Sequence, residues 1–175
     1  MLELILGGAR SGKSAFAERL ALDHEGVVTY VATARALDEE MRERIETHRA
    51  RRPAHWRLQE SPLALAETLS QLDEPNGLIL VDCLTLWLTN ALLAEEAEAW
   101  ESELLRLLEL LESPPAGRIL LVSNEVGQGI TPLEPLSRRF VDEAGRLHQA
   151  LAARASRVWW VTAGLPQCLK GACSS

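Results

Sequence analysis

Cysteine is scarce in this chain of 175 residues: Cys83, Cys168 and Cys173 are the whole set, with no Cys-x-x-Cys pair. So few, and an odd number, argue against a disulfide scaffold or a zinc site and point to a reducing cytoplasm. Basic charge is also short, with 18 Lys and Arg against 25 Asp and Glu and a formal net charge of -7. That balance excludes a general nucleic-acid binder, which needs surplus cation to replace counterions. No run of about 18 uninterrupted apolar residues exists, so no membrane span is expected. The start, Met1-Leu2-Glu3, leads directly into a strand-like stretch and shows no secretory leader. Repeats, low-complexity tracts and linkers are missing too. What remains is a globular composition, 47% apolar and 25% charged, expected as a single domain over 1–175 with about 165–175 as a flexible tail. Lysine itself is nearly absent, confined to Lys13 and Lys170. A position that keeps lysine against an arginine bias needs a compact ammonium where a planar guanidinium would not serve.

The elements that are present alternate. Leu2–Leu6, Val27–Val31, Leu78–Val81, Ile119–Ser123 and Val158–Thr162 are short, apolar and strand-like, and Trp56–Glu60 reads as a short edge strand. Helical spacing marks Ser14–Asp23, Leu37–Arg52, Thr85–Leu93, Glu95–Leu111 and Glu134–Ala155. Ser61-Pro62 is expected to cap a further helix running to Leu72, with proline in its first turn. Continuously apolar strands separated by helices predict an α/β fold, a mostly parallel sheet with helices on both faces.

Gly7-Gly8-Ala9-Arg10-Ser11-Gly12-Lys13-Ser14 satisfies G-x-x-x-x-G-K-[ST] between the first strand and the first helix. Glycines let the backbone curl so that successive N–H groups face phosphate oxygens, and the helix start adds its positive end. Lys13 then reaches the outer phosphates and Ser14 offers a hydroxyl to Mg²⁺. This is a P-loop nucleotide site for GTP or ATP with Mg²⁺. Asp82 closes a fully apolar strand and is either the second metal-holding group of such enzymes or a turn former. Ligands of open α/β sheets gather beyond the carboxyl ends of the strands, which collects the loop, Thr33, Asp82, Asn124-Glu125 and Thr162–Gly164. Glu125 there is a base, an organiser of metal-bound water, or a helix cap; all three stay open.

The base-reading Asn-Lys-x-Asp motif of guanine-switch proteins is absent, since neither lysine sits in such a context. A motor ATPase needs more chain or a basic track. A small-molecule kinase remains. In the helix Leu37–Arg52, Leu37, Met41, Ile45 and His48 share one face. His48 is either a packed core histidine or, beside Arg49, Arg51 and Arg52, an imidazole able to attack an α-phosphorus and carry a nucleotidyl group.

Three segments in order, Gly7–Ser14, the His48 helix followed by Arg52-Pro53-Ala54-His55-Trp56, and Ser123-Asn124-Glu125-Val126-Gly127-Gln128-Gly129-Ile130, resemble the bifunctional adenosylcobinamide kinase/adenosylcobinamide-phosphate guanylyltransferase family of cobalamin nucleotide-loop assembly. The resemblance runs from Met1 to about Gly164. It implies a RecA-like P-loop fold, a homotrimer and two reactions. A nucleoside triphosphate phosphorylates the aminopropanol arm of adenosylcobinamide. GTP then gives GMP to a histidine, and the GMP passes to the cobinamide phosphate. His48 matches the guanylylated histidine, with His55 as a structural or positioning rival. The resemblance places GTP against the phosphate loop, Ala32-Thr33-Ala34, Arg49-Ala50-Arg51-Arg52, Glu60 and Asp82. A histidine nucleophile must be neutral, so transfer should fade below its pKa, nominally about 6.5.

Two other readings compete. One is a single-activity kinase of another small alcohol, with His48 merely packed. The other is a nucleotide-gated interaction module using the leucine-rich Glu95–Leu111 helix, although that helix also suits core and subunit packing.

Overall fold

The computed structural model describes residues 1–35, 53–94 and 99–172. Among these residues seven strands form one sheet in the order β3-β2-β4-β5-β1-β6-β7. They are β1 Leu2–Gly7, β2 Val28–Ala32, β3 Arg57–Glu60, β4 Leu78–Asp82, β5 Arg118–Asn124, β6 Arg157–Thr162 and β7 Leu165–Lys170. The first six run parallel and only β7 is antiparallel, on β6. The described helices are α1 Lys13–Leu22, α2 Leu65–Leu72, α3 Leu84–Leu92, α4 Ala99–Leu110 and α5 Pro135–Arg154. The helix expected over Leu37–Arg52 lies outside the described residues.

Pleating splits the apolar runs between two cores, because neighbouring side chains leave a strand on opposite faces. Leu4, Leu6, Ile119 and Leu121 join α2–α5 on one side through Leu69, Trp87, Trp100, Leu107 and Leu147. Ile5, Leu120 and Val122 join Phe16, Ala17 and Ala21 of α1 on the other. Both faces are therefore dry, as continuously apolar parallel strands require. Ring pairs stiffen each core, Phe16 edge-on to Trp159 at 5.0 Å and Trp87 edge-on to Trp100 at 5.3 Å. Trp100 also donates from Nε1 to Glu143 on α5 at 2.9 Å, so α4 is bound into the core in the manner of a packing helix.

Three expectations need correction. The helix awaited at Ser61-Pro62 starts only at Leu65. The Pro62 carbonyl accepts from Asn90 and the Leu63 carbonyl from the Trp87 indole, so tertiary donors take what a first helical turn would have used. The proline-led helix is instead α5, where Glu134 caps Leu136 and Ser137 ahead of Pro135. The expected tail is largely a strand: β7 pairs with β6 from Thr162–Leu165 to Val158–Lys170. Its side chains are mostly exposed, so backbone hydrogen bonding, which carries no hydrophobic pattern, sets it. Cys168 on that strand is disulfide-bonded, contrary to the fully reduced thiols expected from the cysteine count.

One charge lies in the sheet itself. Glu3 on β1 is 0% exposed. Its carboxylate accepts from Arg118 Nε at 2.8 Å and Nη2 at 2.7 Å, and from Trp159 Nε1 at 2.9 Å. Losing one partner of a buried, hydrogen-bonded pair strands the other. Glu3→Ala should lower unfolding free energy by about 3 kcal/mol, read in urea denaturation; a change below about 0.5 kcal/mol, the scale of an ordinary surface substitution, would show the cluster to be inert.

Candidate active site

β1 sits between β5 and β6 and delivers its end, Gly7, to the crevice side of the sheet. The next residues form the loop, and α1 begins at Lys13 behind Gly12 at its N-cap. Two glycines are sterically required. A Cβ on Gly7 would lie 2.4 Å from the Val161 carbonyl oxygen and 2.5 Å from Ser11 Oγ. Gly12 has φ 92°, and a Cβ there would press the Gly164 backbone at 3.0 Å. The amide of Gly164 donates to the Ser11 carbonyl at 2.8 Å, so the β6–β7 turn braces the loop from behind. Thr162–Gly164 thus belongs to the site as a support.

Lys13 is only 7% exposed, and its Nζ donates to the Gly8 carbonyl at 3.2 Å across the loop. Burial pushes its pKa down, while the carboxylate of Asp82 pulls the other way. A buried ammonium at the glycine-led N-terminus of a helix is a receptor for anionic oxygen. Ser14 is half-buried on the first turn of α1. Ser14 and Asp82 offer a hydroxyl and a carboxylate, the hard oxygen donors that Mg²⁺ takes. Among the described residues no three His, Cys, Asp or Glu converge to hold a metal alone.

Strand register brings the remaining residues to the same edge. Ala32 at the end of β2 pairs with Glu60 of β3 on one side and Asp82 of β4 on the other. Gly7 pairs with Asn124 of β5, and the Glu125 amide donates to the Gly7 carbonyl at 3.0 Å. Thr33 is fully buried: its hydroxyl donates to the Cys83 carbonyl at 2.7 Å and accepts from the Cys83 amide at 3.0 Å. Its own carbonyl accepts from Asn90 at 2.7 Å. Thr33 is therefore a brace between β2 and β4. The half-buried Ala32 and Ala34 leave backbone as what this stretch can offer a ligand.

His48, Arg49, Ala50, Arg51 and Arg52 lie outside the described residues. His55 is described and is exposed, in the turn ahead of β3. The four residues of β3 separate it from the crevice edge, about 13 Å at ordinary strand rise.

Sequence reasoning missed a polar layer beneath the crevice. Asn124 donates to Thr85 Oγ1 at 3.0 Å, and Thr85 lies 3.2 Å from the Cys83 thiol. Burial raises the pKa of that thiol, which keeps it protonated and inert. Beside the layer opens a cavity of about 290 Å³ lined by Ala9, Thr85, Thr89, Asn124, Glu125 and Phe140, among others. It joins the phosphate loop to the end of β5, and among the described residues it holds one carboxylate, that of Glu125.

Comparison with known proteins agrees with this geometry. A model of the family described as cobinamide kinase / cobinamide phosphate guanyltransferase matches residues 3–169. The bifunctional adenosylcobalamin biosynthesis protein CobP of Pseudomonas aeruginosa is 60% identical over 171 residues, covering 98% of both chains. CobU of Escherichia coli K12, named likewise as bifunctional, is 41% identical over 178 residues, covering 94% of this chain and 97% of its own. Among solved structures, an ATPase of a type III secretion system from pathogenic bacteria aligns with TM-score 0.54 at 12% identity. It covers 92% of this chain and 51% of its own. EscN, the corresponding ATPase of enteropathogenic E. coli, aligns with TM-score 0.55 at 16% identity, covering 93% and 43%. The chain spans about half the length of these ATPases, and at such identity they share its P-loop α/β fold alone. The near-complete matches carry more: this chain belongs to the cobinamide kinase / cobinamide phosphate guanyltransferase family.

Proposed function

We propose that the chain phosphorylates adenosylcobinamide with a nucleoside triphosphate and then converts the product to adenosylcobinamide-GDP using GTP. The observation that carries this reading is the glycine-shaped loop closed around Lys13, with Asp82 beside it and the Glu125 cavity opening onto it. In the first reaction the alcohol oxygen of the aminopropanol arm bonds to the γ-phosphorus. The bond from that phosphorus to the bridging oxygen breaks, and the nucleoside diphosphate leaves. Glu125 takes the hydroxyl proton. In the second reaction an imidazole nitrogen of His48 bonds to the α-phosphorus of GTP and pyrophosphate departs. A phosphate oxygen of cobinamide phosphate then displaces the imidazole, the N–P bond breaks, and free His48 is restored.

Loop amides and Lys13 orient the triphosphate for both reactions, and Glu60, the Ala32–Ala34 backbone and Arg49–Arg52 complete the nucleotide's surroundings. Ser14 and Asp82 are the residues that would hold Mg²⁺, which supplies charge neutralisation across the phosphates when bound. The 290 Å³ cavity accommodates the arm of the acceptor and is too small for its macrocycle, which must lie across the surface. The reading includes one domain, a cytoplasmic location and a homotrimer. Ile130 and Leu133, 98% and 96% exposed, supply apolar surface of the kind that subunit contacts cover. No helix among the described residues is long and apolar enough to cross a membrane.

Mass spectrometry of the protein after incubation with GTP and Mg²⁺ tests the reading. One added GMP per chain, on His48 and released by acid, is the expected result. A chain that phosphorylates an alcohol and never acquires GMP would be a single-activity kinase.

A further inference from the structure

A second histidine stands behind the cavity. His148 of α5 is 6% exposed, on the helix face that carries the buried Ala144, Leu147 and Leu151. Its Nε2 lies 2.7 Å from Ser123 Oγ, fully buried on β5. Its Nδ1 is buried with no hydrogen-bond partner, and the facing group is Glu125, whose Oε2 lies 3.5 Å away. The other carboxylate oxygen, Oε1, accepts from the Gly127 amide at 2.6 Å. Burial lowers the pKa of the imidazole against the opposing pull of Glu125, so the ring is neutral and carries one proton. The carboxylate beside Nδ1 favours the proton there, which leaves Nε2 to accept from the Ser123 hydroxyl. Among the described residues Glu125 is the charged group whose field reaches this ring.

We infer that His148 is a positioning residue for the kinase reaction: its Nδ1–H, oriented by Ser123 and 3.5 Å from the Glu125 carboxylate, draws up to that carboxylate as the acceptor binds and holds it in the attitude from which it takes the hydroxyl proton. The inference rests on the reading of Glu125 as that base. A histidine present only to fill the core would spend both ring nitrogens on core partners. Here one nitrogen is spent on Ser123 and the other faces the cavity wall. Oxygen, proton and phosphorus move as described for the first reaction, and His148 exchanges no proton with the substrate.

Two substitutions separate the ring's two nitrogens. In His148→Gln the side-chain amide reaches the position of Nε2 and keeps the Ser123 contact, with nothing at Nδ1. In His148→Asn the amide nitrogen reaches the position of Nδ1 and keeps the Glu125 contact. Both are compared with Glu125→Gln and with the Glu125→Gln/His148→Gln double variant. The readouts are kcat and KM for MgATP-dependent phosphorylation of adenosylcobinamide and the Kd for MgATP. Expected is a kcat loss of about a hundredfold in Glu125→Gln and about tenfold in His148→Gln, with KM and Kd for MgATP unchanged. His148→Asn should stay within about threefold of the parent, and the double variant should be no slower than Glu125→Gln. If Glu125→Gln is slow while His148→Gln runs at the parental rate, the positioning role fails and Glu125 stands. Parental rates in Glu125→Gln overturn both. Equal losses in the two His148 variants, losses that multiply in the double variant, or a weakened Kd for MgATP would reduce His148 to packing and overturn the inference.

Discussion

Replacing Lys13 with alanine or arginine is expected to remove both reactions together, each falling at least about a hundredfold. On the proposed reading the two chemistries differ, one at the γ-phosphorus and one at the α-phosphorus, yet both place the same triphosphate tail in the same loop. Lys13 is buried with its ammonium turned across that loop to the Gly8 carbonyl. A guanidinium has a different shape there, planar and longer, and would displace the amides it should complement. Loss of fold is not the cause to expect from the alanine variant, since it removes a cation whose charged form burial already disfavours. Phosphorylation of adenosylcobinamide and pyrophosphate release from GTP, measured side by side with thermal unfolding, check this. A variant that unfolds normally and keeps either rate near the parent's would show that the triphosphate is gripped somewhere else.

The readable parts of this site share a cause. The loop announces itself because its geometry is imposed on the backbone, and only glycine tolerates the approach at Gly7 and the left-handed turn at Gly12. Asp82 and Asn124 are legible because parallel strands finish at one edge, whereas Ala32 and Glu60, which the register brings to that edge, enter the sequence reading only through the family resemblance. Partnerships across the fold are what stayed hidden. Glu3 reads as an acidic residue at an exposed start, and its partners Arg118 and Trp159 stand more than a hundred positions away. The 3.6-residue period of α5 assigns His148 to the buried face and says nothing of Ser123 or Glu125, which another element supplies. The sequence sets Thr33 among the residues around the nucleotide, while its hydroxyl is consumed by the Cys83 backbone; propensity and spacing carry no record of such a bond. The strand β7 was unreadable for the opposite reason, being held by backbone pairing with little buried side chain to pattern.

Removing the His48 imidazole should separate what Lys13 joins. In His48→Ala, incorporation of label from α-labelled GTP is expected to fall at least about a thousandfold, because no other nucleophile takes over the covalent step. Phosphorylation of adenosylcobinamide should continue at a measurable rate. On the proposed reading that reaction draws on the phosphate loop, the metal held by Ser14 and Asp82, and the cavity that Glu125 lines, none of which includes His48. A phosphoramidate is acid-labile, so the parent's label should leave in acid. His55, the other histidine in the resembling segment, provides the internal comparison. It is exposed ahead of β3, with the length of that strand between it and the crevice edge, so His55→Ala should take up label as the parent does. Intact labelling in His48→Ala, or labelling lost only in His55→Ala, would move the covalent step off His48. The proposed transferase route would then have to be rebuilt around a different nucleophile, with the kinase reaction left standing.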